Sequence, residues 1–242
     1  MSRDAPGIVL RDGRSVLGYG QVAGSLLLVF PLFLAYELGL LLTPASNGVD
    51  FTSRVIFNAV ERNPQSYLLV HLAMAAVFLL LLHTLYRRGI LELDRAWPVI
   101  LESCIYALTL GSFIIFVMDR FLGLELLAIG GAKLGNALVV SLGAGVHEEM
   151  VFRLGIMGIG GLVLSRVFGR SGPAVLIAAI VSAAAFALAH HVGAAGEALE
   201  LSLLVYRFIA GLAFAAIFYY RSLAHAVYSH FLYDFYVMGM AQ

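Results

Sequence analysis

The chain has 242 residues, of which 61% are hydrophobic and 12% charged, whereas soluble domains carry about 25% charged residues. Its mean hydropathy is +0.93. Fifteen basic and fifteen acidic residues cancel, and the cations are scattered singly, which argues against a nucleic-acid surface or a polybasic lipid patch.

The fold class that fits is an all-α, polytopic transmembrane helix bundle of about seven or eight spans, since each crossing needs roughly 20 apolar residues. Residues 1–20 contain no continuous apolar stretch followed by a small-residue cleavage site. They are expected to form a cytoplasmic N-terminal segment, not a cleaved signal. Apolar runs with polar flanks then fall at 21–43, 66–86, 97–118, 134–165, 173–191, 199–220 and 222–240. Between the first two, the segment 44–65 holds "FTSRVIFNAVER" between Pro44 and Pro64. It reads as an amphipathic piece on the outer interface with a structural role.

The single cysteine, Cys104, lies in the third run and excludes an intramolecular disulfide; it reads as packing. The fourth run is long, and Gly155, Gly158, Gly160 and Gly161 predict a break or a close helix contact near its end. With the N-terminus cytoplasmic, that side holds Arg3, Arg11, Arg14, Arg87, Arg88, Arg95, Arg166, Arg170 and Arg221, against Arg54, Arg62, Arg120 and Lys133 opposite. This bias sets the expected orientation. Arginine outnumbers lysine 14 to 1, which suggests a GC-rich bacterial genome and an inner-membrane location.

Ionisable side chains inside apolar spans cost about 2.5–3.5 kcal/mol each on insertion scales, so they are read for function first. Those in the runs are Glu37, His71, His83, Glu102, His147, Glu148, Glu149, Arg153, His190, His191, Arg207, His225, His230 and Asp234. His83, His191 and His225 lie near span ends, where they can reach the interface. In "HEEMVFR", Glu148 and Glu149 point about 100° apart on a helix, and Glu149 meets Arg153 at i,i+4. Glu149 with Arg153 is then a clamp, and Glu148, crowded and desolvated, a poised base. Phe186 and His190 share a face in the fifth run, as do His230 and Asp234 in the seventh. Counted from the cytoplasmic ends, Glu148 and His190 lie at one depth, with His230 and Asp234 shallower by up to roughly 13 Å. Tilt, a broken fourth helix or a shifted boundary must close that gap, or the cluster is not one site.

"EEMVFR" at 148–153, "FALAH" at 186–190 and "HFLYD" at 230–234 resemble, in order and spacing, the three motifs EExxxR, FxxxH and HxxxN or HxxxD of the CAAX-protease and bacteriocin-processing (CPBP, or ABI) intramembrane proteases. That family includes the type II CAAX prenyl endopeptidases. The resemblance covers about residues 134–240. It implies an accessory unit at 21–133, a catalytic core at 134–242, and a membrane-associated protein or peptide as substrate.

It further implies that Glu148 and His190 activate the water that attacks a peptide carbonyl, while His230 and Asp234 polarise it or stabilise the oxyanion. Asp234 stands where Asn is common, and an ionised Asp cannot donate to an oxyanion. Two mechanisms stay open: a metal-free one, and one with Zn²⁺ held by Glu148, His190 and His230. No HExxH motif is present, since Val151 follows "HEEM". "GRSG" at 169–172 reads as a loop turn and not a serine-protease motif. "YD" at 233–234 lacks the GxGD partner of the presenilin type. The alternative function is a non-enzymatic bundle, a proton-coupled transporter or partner-binding scaffold, that uses the same groups as an ion network.

Overall fold

In this computed structural model the described residues are 19–43, 47–89, 96–124, 133–169, 171–192, 196 and 198–240. Among them all regular structure is helical. The N-terminal segment 1–18, with Arg3, Arg11 and Arg14, and also Pro44, Arg95 and Arg170, lie outside the described residues.

Helix α1 is Tyr19–Gly39, the short amphipathic α2 is Thr52–Ala59, and α3 is Pro64–Arg87. The start of α3 is written in its sequence. Asn63 accepts from the backbone N–H groups of Gln65 and Ser66, and Pro64 supplies a preset φ where no N–H is needed. Helix α4, Ala96–Val117, runs into a π turn at Met118–Leu122. Helix α5, Leu134–Gly143, continues through a π-wound segment, Ala144–Ile159, into α6, Gly160–Phe168. Helices α7, Ser171–Ala189, α8, Leu201–Tyr220, and α9, Leu223–Met240, complete the bundle.

Among the described residues, six helical stretches are long and apolar enough to cross a membrane: Gln21–Gly39, Pro64–Arg87, Ala96–Leu122, Leu134–Phe168, Ser171–Ala189 and Leu201–Tyr220. The chain is an integral membrane protein. The expected count of seven or eight is therefore approximate. The seventh run does form a helix, α9, but outside that set; it carries His225, Ser229, His230 and Asp234 and packs against α1, α4, α5, α8 and the π segment. Its polar groups face protein and not lipid. The outer helices show the reverse pattern, with Leu69, Val77, Leu80, Trp97, Leu101 and Ile105 exposed on α3 and α4, as a lipid-facing surface requires.

The fourth run was expected to break or make a close contact near its end. It does not break: Gly160 has ordinary helical angles, φ −59° and ψ −44°, and the helix proceeds to Phe168. The irregularity is sixteen residues of π winding, which contain the charged motif and also Gly155 and Gly158. Such winding is rare and concentrates at functional sites. At Gly145 an added Cβ would stand 2.8 Å from the Val227 carbonyl oxygen and from Phe231 Cβ of α9. Only glycine lets α9 come so near. Of the described residues of "GRSG", Gly169 is left-handed at φ 63°, and Ser171, exposed, and Gly172 open α7.

Candidate active site

The three motifs meet inside the bundle. Glu148, Glu149 and Arg153 come from the π segment, His190 from the residue just past α7, and His230 and Asp234 from α9. Glu149 lies at the centre. Its Oε1 is 2.7 Å from His230 Nδ1, and its Oε2 is 3.1 Å from Arg153 Nε, with both carboxylate and guanidinium fully buried. His230 Nε2 is 3.4 Å from Asp234 Oδ2. Arg153 is covered by aromatic faces: its guanidinium carbon lies 4.5 Å from the Phe186 centroid and 5.6 Å from that of Phe214. The rings supply the cation–π surface that a buried arginine needs when few oxygens reach it. His230 stacks on Phe214, with centroids 4.4 Å apart.

Glu148 belongs to a second, adjoining pair. Its Oε2 lies 3.7 Å from His190 Nε2 and makes no hydrogen bond among the described residues. His190 Nδ1 is 2.8 Å from the Phe186 carbonyl oxygen. That carbonyl can only accept, so Nδ1 carries the proton and the neutral ring presents a lone pair at Nε2. The His190 side chain is 18% exposed against 5% for Glu148, which makes it the more open side of the pair. Burial pushes the His190 imidazole below its ordinary value; Glu148 opposes this and the Arg207 charge reinforces it.

Glu148 Oε1 has a partner the sequence did not disclose. Asn47, in the loop ahead of α2, donates its amide to it at 2.7 Å. The same side chain accepts from the Val49 N–H through Oδ1 at 2.8 Å, which fixes which end of the amide faces Glu148. Residues 44–65 were expected to lie on the interface with a structural role. The part carrying Asn47 and Asp50 is instead buried in the bundle, because their polar atoms find partners on α1 and the π segment. Its flanking prolines and amphipathic α2 gave no hint of this insertion.

The expected gap of roughly 13 Å in depth between α9 and the other motifs is closed, as the 2.7 Å contact of His230 with Glu149 requires. Residues wound with i→i+5 hydrogen bonds climb less per residue than in an α-helix. Depths counted at the α-helical rise therefore overstate how far Glu148 lies from its span end.

Both ring nitrogens of His230 face carboxylates, Nδ1 towards Glu149 and Nε2 towards Asp234. Glu149 occupies Nδ1, which leaves Nε2, facing Asp234, as the ring nitrogen that could meet a cation. Glu148, His190 and His230 do not form a group of ligating atoms all within 4.8 Å of one another among the described residues. Among the described residues, the group of three ligating side chains with all donor atoms within 4.8 Å of one another is Glu37, Asp50 and His147.

Residues 130–236 match the family model described as type II CAAX prenyl endopeptidase Rce1-like. This stretch, a little under half of the chain, is similar to that family. The Rce1-like region spans all six motif residues and leaves α1 to α4 outside. No curated protein matches the chain, and no solved structure does.

Proposed function

We propose that the protein is an intramembrane endopeptidase in which Glu148 and His190 activate a water without a metal. The observation that carries this is Glu148 Oε2, which makes no hydrogen bond among the described residues, facing His190 Nε2 at 3.7 Å on the more open edge of a buried cluster. One water reaches both at ordinary hydrogen-bond lengths of about 2.8 Å. Donating to both, it turns an oxygen lone pair outward for attack on a carbonyl, and His190, once protonated, delivers a proton to the leaving amine. The Rce1-like match supports peptide hydrolysis as the reaction.

In this reading Glu149, Arg153, His230 and Asp234 fix the position of the water-activating pair. Donation by His230 to an oxyanion requires it to leave Asp234. The substrate is a membrane-associated protein or peptide; the charge bias of the loops supports a cytoplasmic N-terminus, and the excess of arginine over lysine supports a bacterial inner membrane.

The test uses the purified full chain in detergent with prenylated and unprenylated peptides. Glu148→Gln and His190→Ala each abolish cleavage, and a chelator leaves the wild-type rate unchanged. Cleavage that survives both substitutions refutes the enzyme; in that case proton-linked flux in vesicles that depends on the same residues would favour a transporter. Loss of cleavage with chelator, restored by Zn²⁺, refutes the metal-free mechanism.

A further inference from the structure

A second buried polar cluster lies beside the one above and is used by none of the three motifs. Glu37 of α1 and Asp50 of the loop before α2 are 0% and 2% exposed. Their oxygens accept from neutral donors: Ser53 Oγ and the Tyr67 hydroxyl for Glu37, and the Ser53 N–H and Tyr36 hydroxyl for Asp50. The nearby cation, Arg54, is turned elsewhere, donating to the backbone carbonyls of Asp50 at 2.8 Å and Gly48 at 3.0 Å. Two carboxylates held this deep need a compensating positive charge.

The imidazoles around them are set up as ligands. His147 Nδ1 is anchored on the Gly143 carbonyl at 3.2 Å, and its Nε2, buried and without a hydrogen bond among the described residues, lies 3.3 Å from Asp50 Oδ1. His71 repeats the pattern, with Nδ1 on the Tyr67 carbonyl at 2.8 Å and an unengaged Nε2 3.4 Å from Glu37 Oε2. One ring nitrogen on a backbone carbonyl with the other left bare is how metal-bound histidines are oriented. Ligands about 2.1 Å from a tetrahedral zinc stand about 3.4 Å apart, which matches the spacing of His147 Nε2 and Asp50 Oδ1. A cleft of about 230 Å³, lined by Leu40, Leu41, Asp50, Ser53, Arg54 and Tyr67 among others, opens onto the cluster and gives an ion a way in.

We propose that Glu37, Asp50 and His147 bind a divalent transition metal of the zinc or manganese class, with His71 flanking it. Two carboxylates and an imidazole suit those ions better than Ca²⁺ or Mg²⁺, which prefer an all-oxygen shell. The ion ties α1 and the 47–53 loop to the π segment. Its effect reaches Glu148 by a short chain: Asp50 accepts from Tyr36, the Tyr36 hydroxyl accepts from the Asn47 N–H, and the Asn47 amide holds Glu148. The site is structural and separate from the water-activating pair.

The full chain in detergent, stripped with chelator and dialysed, is titrated with Co²⁺ as a spectroscopic probe. The wild type develops visible ligand-field bands that saturate at one ion per chain. His147→Gln weakens Co²⁺ binding at least about tenfold, whereas Glu148→Gln and His190→Ala keep the bands. Asp50→Cys adds a thiolate-to-metal charge-transfer band in the near ultraviolet, a gain of signal that misfolding does not produce. Absence of bands from the wild type overturns the proposal. So do bands that vanish with Glu148→Gln but survive His147→Gln, and an Asp50→Cys spectrum identical to the wild type.

Discussion

Asn47 and Glu148 are joined by a 2.7 Å hydrogen bond across 101 residues of sequence, from a loop outside the family-matched region to the first carboxylate of its first motif. The bond pins one oxygen of Glu148 and leaves the other to face His190. A loop outside the matched region thereby sets the orientation of the proposed base.

Removing that amide should therefore act on turnover. A hydrogen bond to a charged group contributes about 1.5–3 kcal/mol, so Asn47→Ala should lower kcat about ten- to hundredfold and leave KM close to its starting value. Steady-state cleavage of a peptide substrate measures this. An unchanged kcat would show that Glu148 holds its place without the loop.

Arg153 and Glu149 predict a stability effect that cleavage assays do not report. Breaking a buried ion pair by removing one partner costs about 3–5 kcal/mol, so Arg153→Leu should markedly lower the Tm in detergent. The double variant Glu149→Gln with Arg153→Leu should recover much of the loss, since no lone charge is left behind. Additive losses would mean the two do not act as a pair.

Two glycines of one helix should respond in opposite directions to the same change. At Gly145 a methyl group meets the Val227 carbonyl and Phe231, and forcing α9 away costs about 1–3 kcal/mol. At Gly160 nothing lies within 4 Å of the added carbon, and Ala there should stabilise by about 0.4–1 kcal/mol. Paired unfolding curves for Gly145→Ala and Gly160→Ala decide it; equal shifts would contradict the close approach of α9.

The pH profile of cleavage carries the state of His190. Burial lowers its proton affinity, so the acid limb should fall below the free imidazole value of about 6.5. The ring is neutral, and competent as a base, above that limb. The Arg207 charge also opposes protonation, so Arg207→Gln should move the acid limb to higher pH. A limb that moves the other way, or stays fixed, would separate Arg207 from the site.

Much of the site was legible because helices put fixed spacings on fixed faces. The i,i+4 pairs Glu149 with Arg153 and His230 with Asp234 are in contact as their spacing implied. Glu37 and His147 stood out as ionisable groups in apolar runs but had no partners in sequence, since Asp50 approaches them from a loop. The π segment was illegible for a related reason. Its composition resembles that of an α-helix, and of the glycines that suggested a break, Gly155 and Gly158 lie in the π winding while Gly160 and Gly161 continue in α6. Asn47 was hidden because loop residues carry no periodic signature of the direction they face.

Helix α9 is poorly suited to standing alone in hydrocarbon, since His230 and Asp234 find their carboxylate and imidazole partners only within the assembled bundle. It also follows those partners in the chain, so during synthesis it enters a membrane in which they are already present. The proposed catalytic cluster is thus completed by the helix that depends most on its neighbours, and a nascent chain halted before α9 lacks His230 and Asp234 from that cluster.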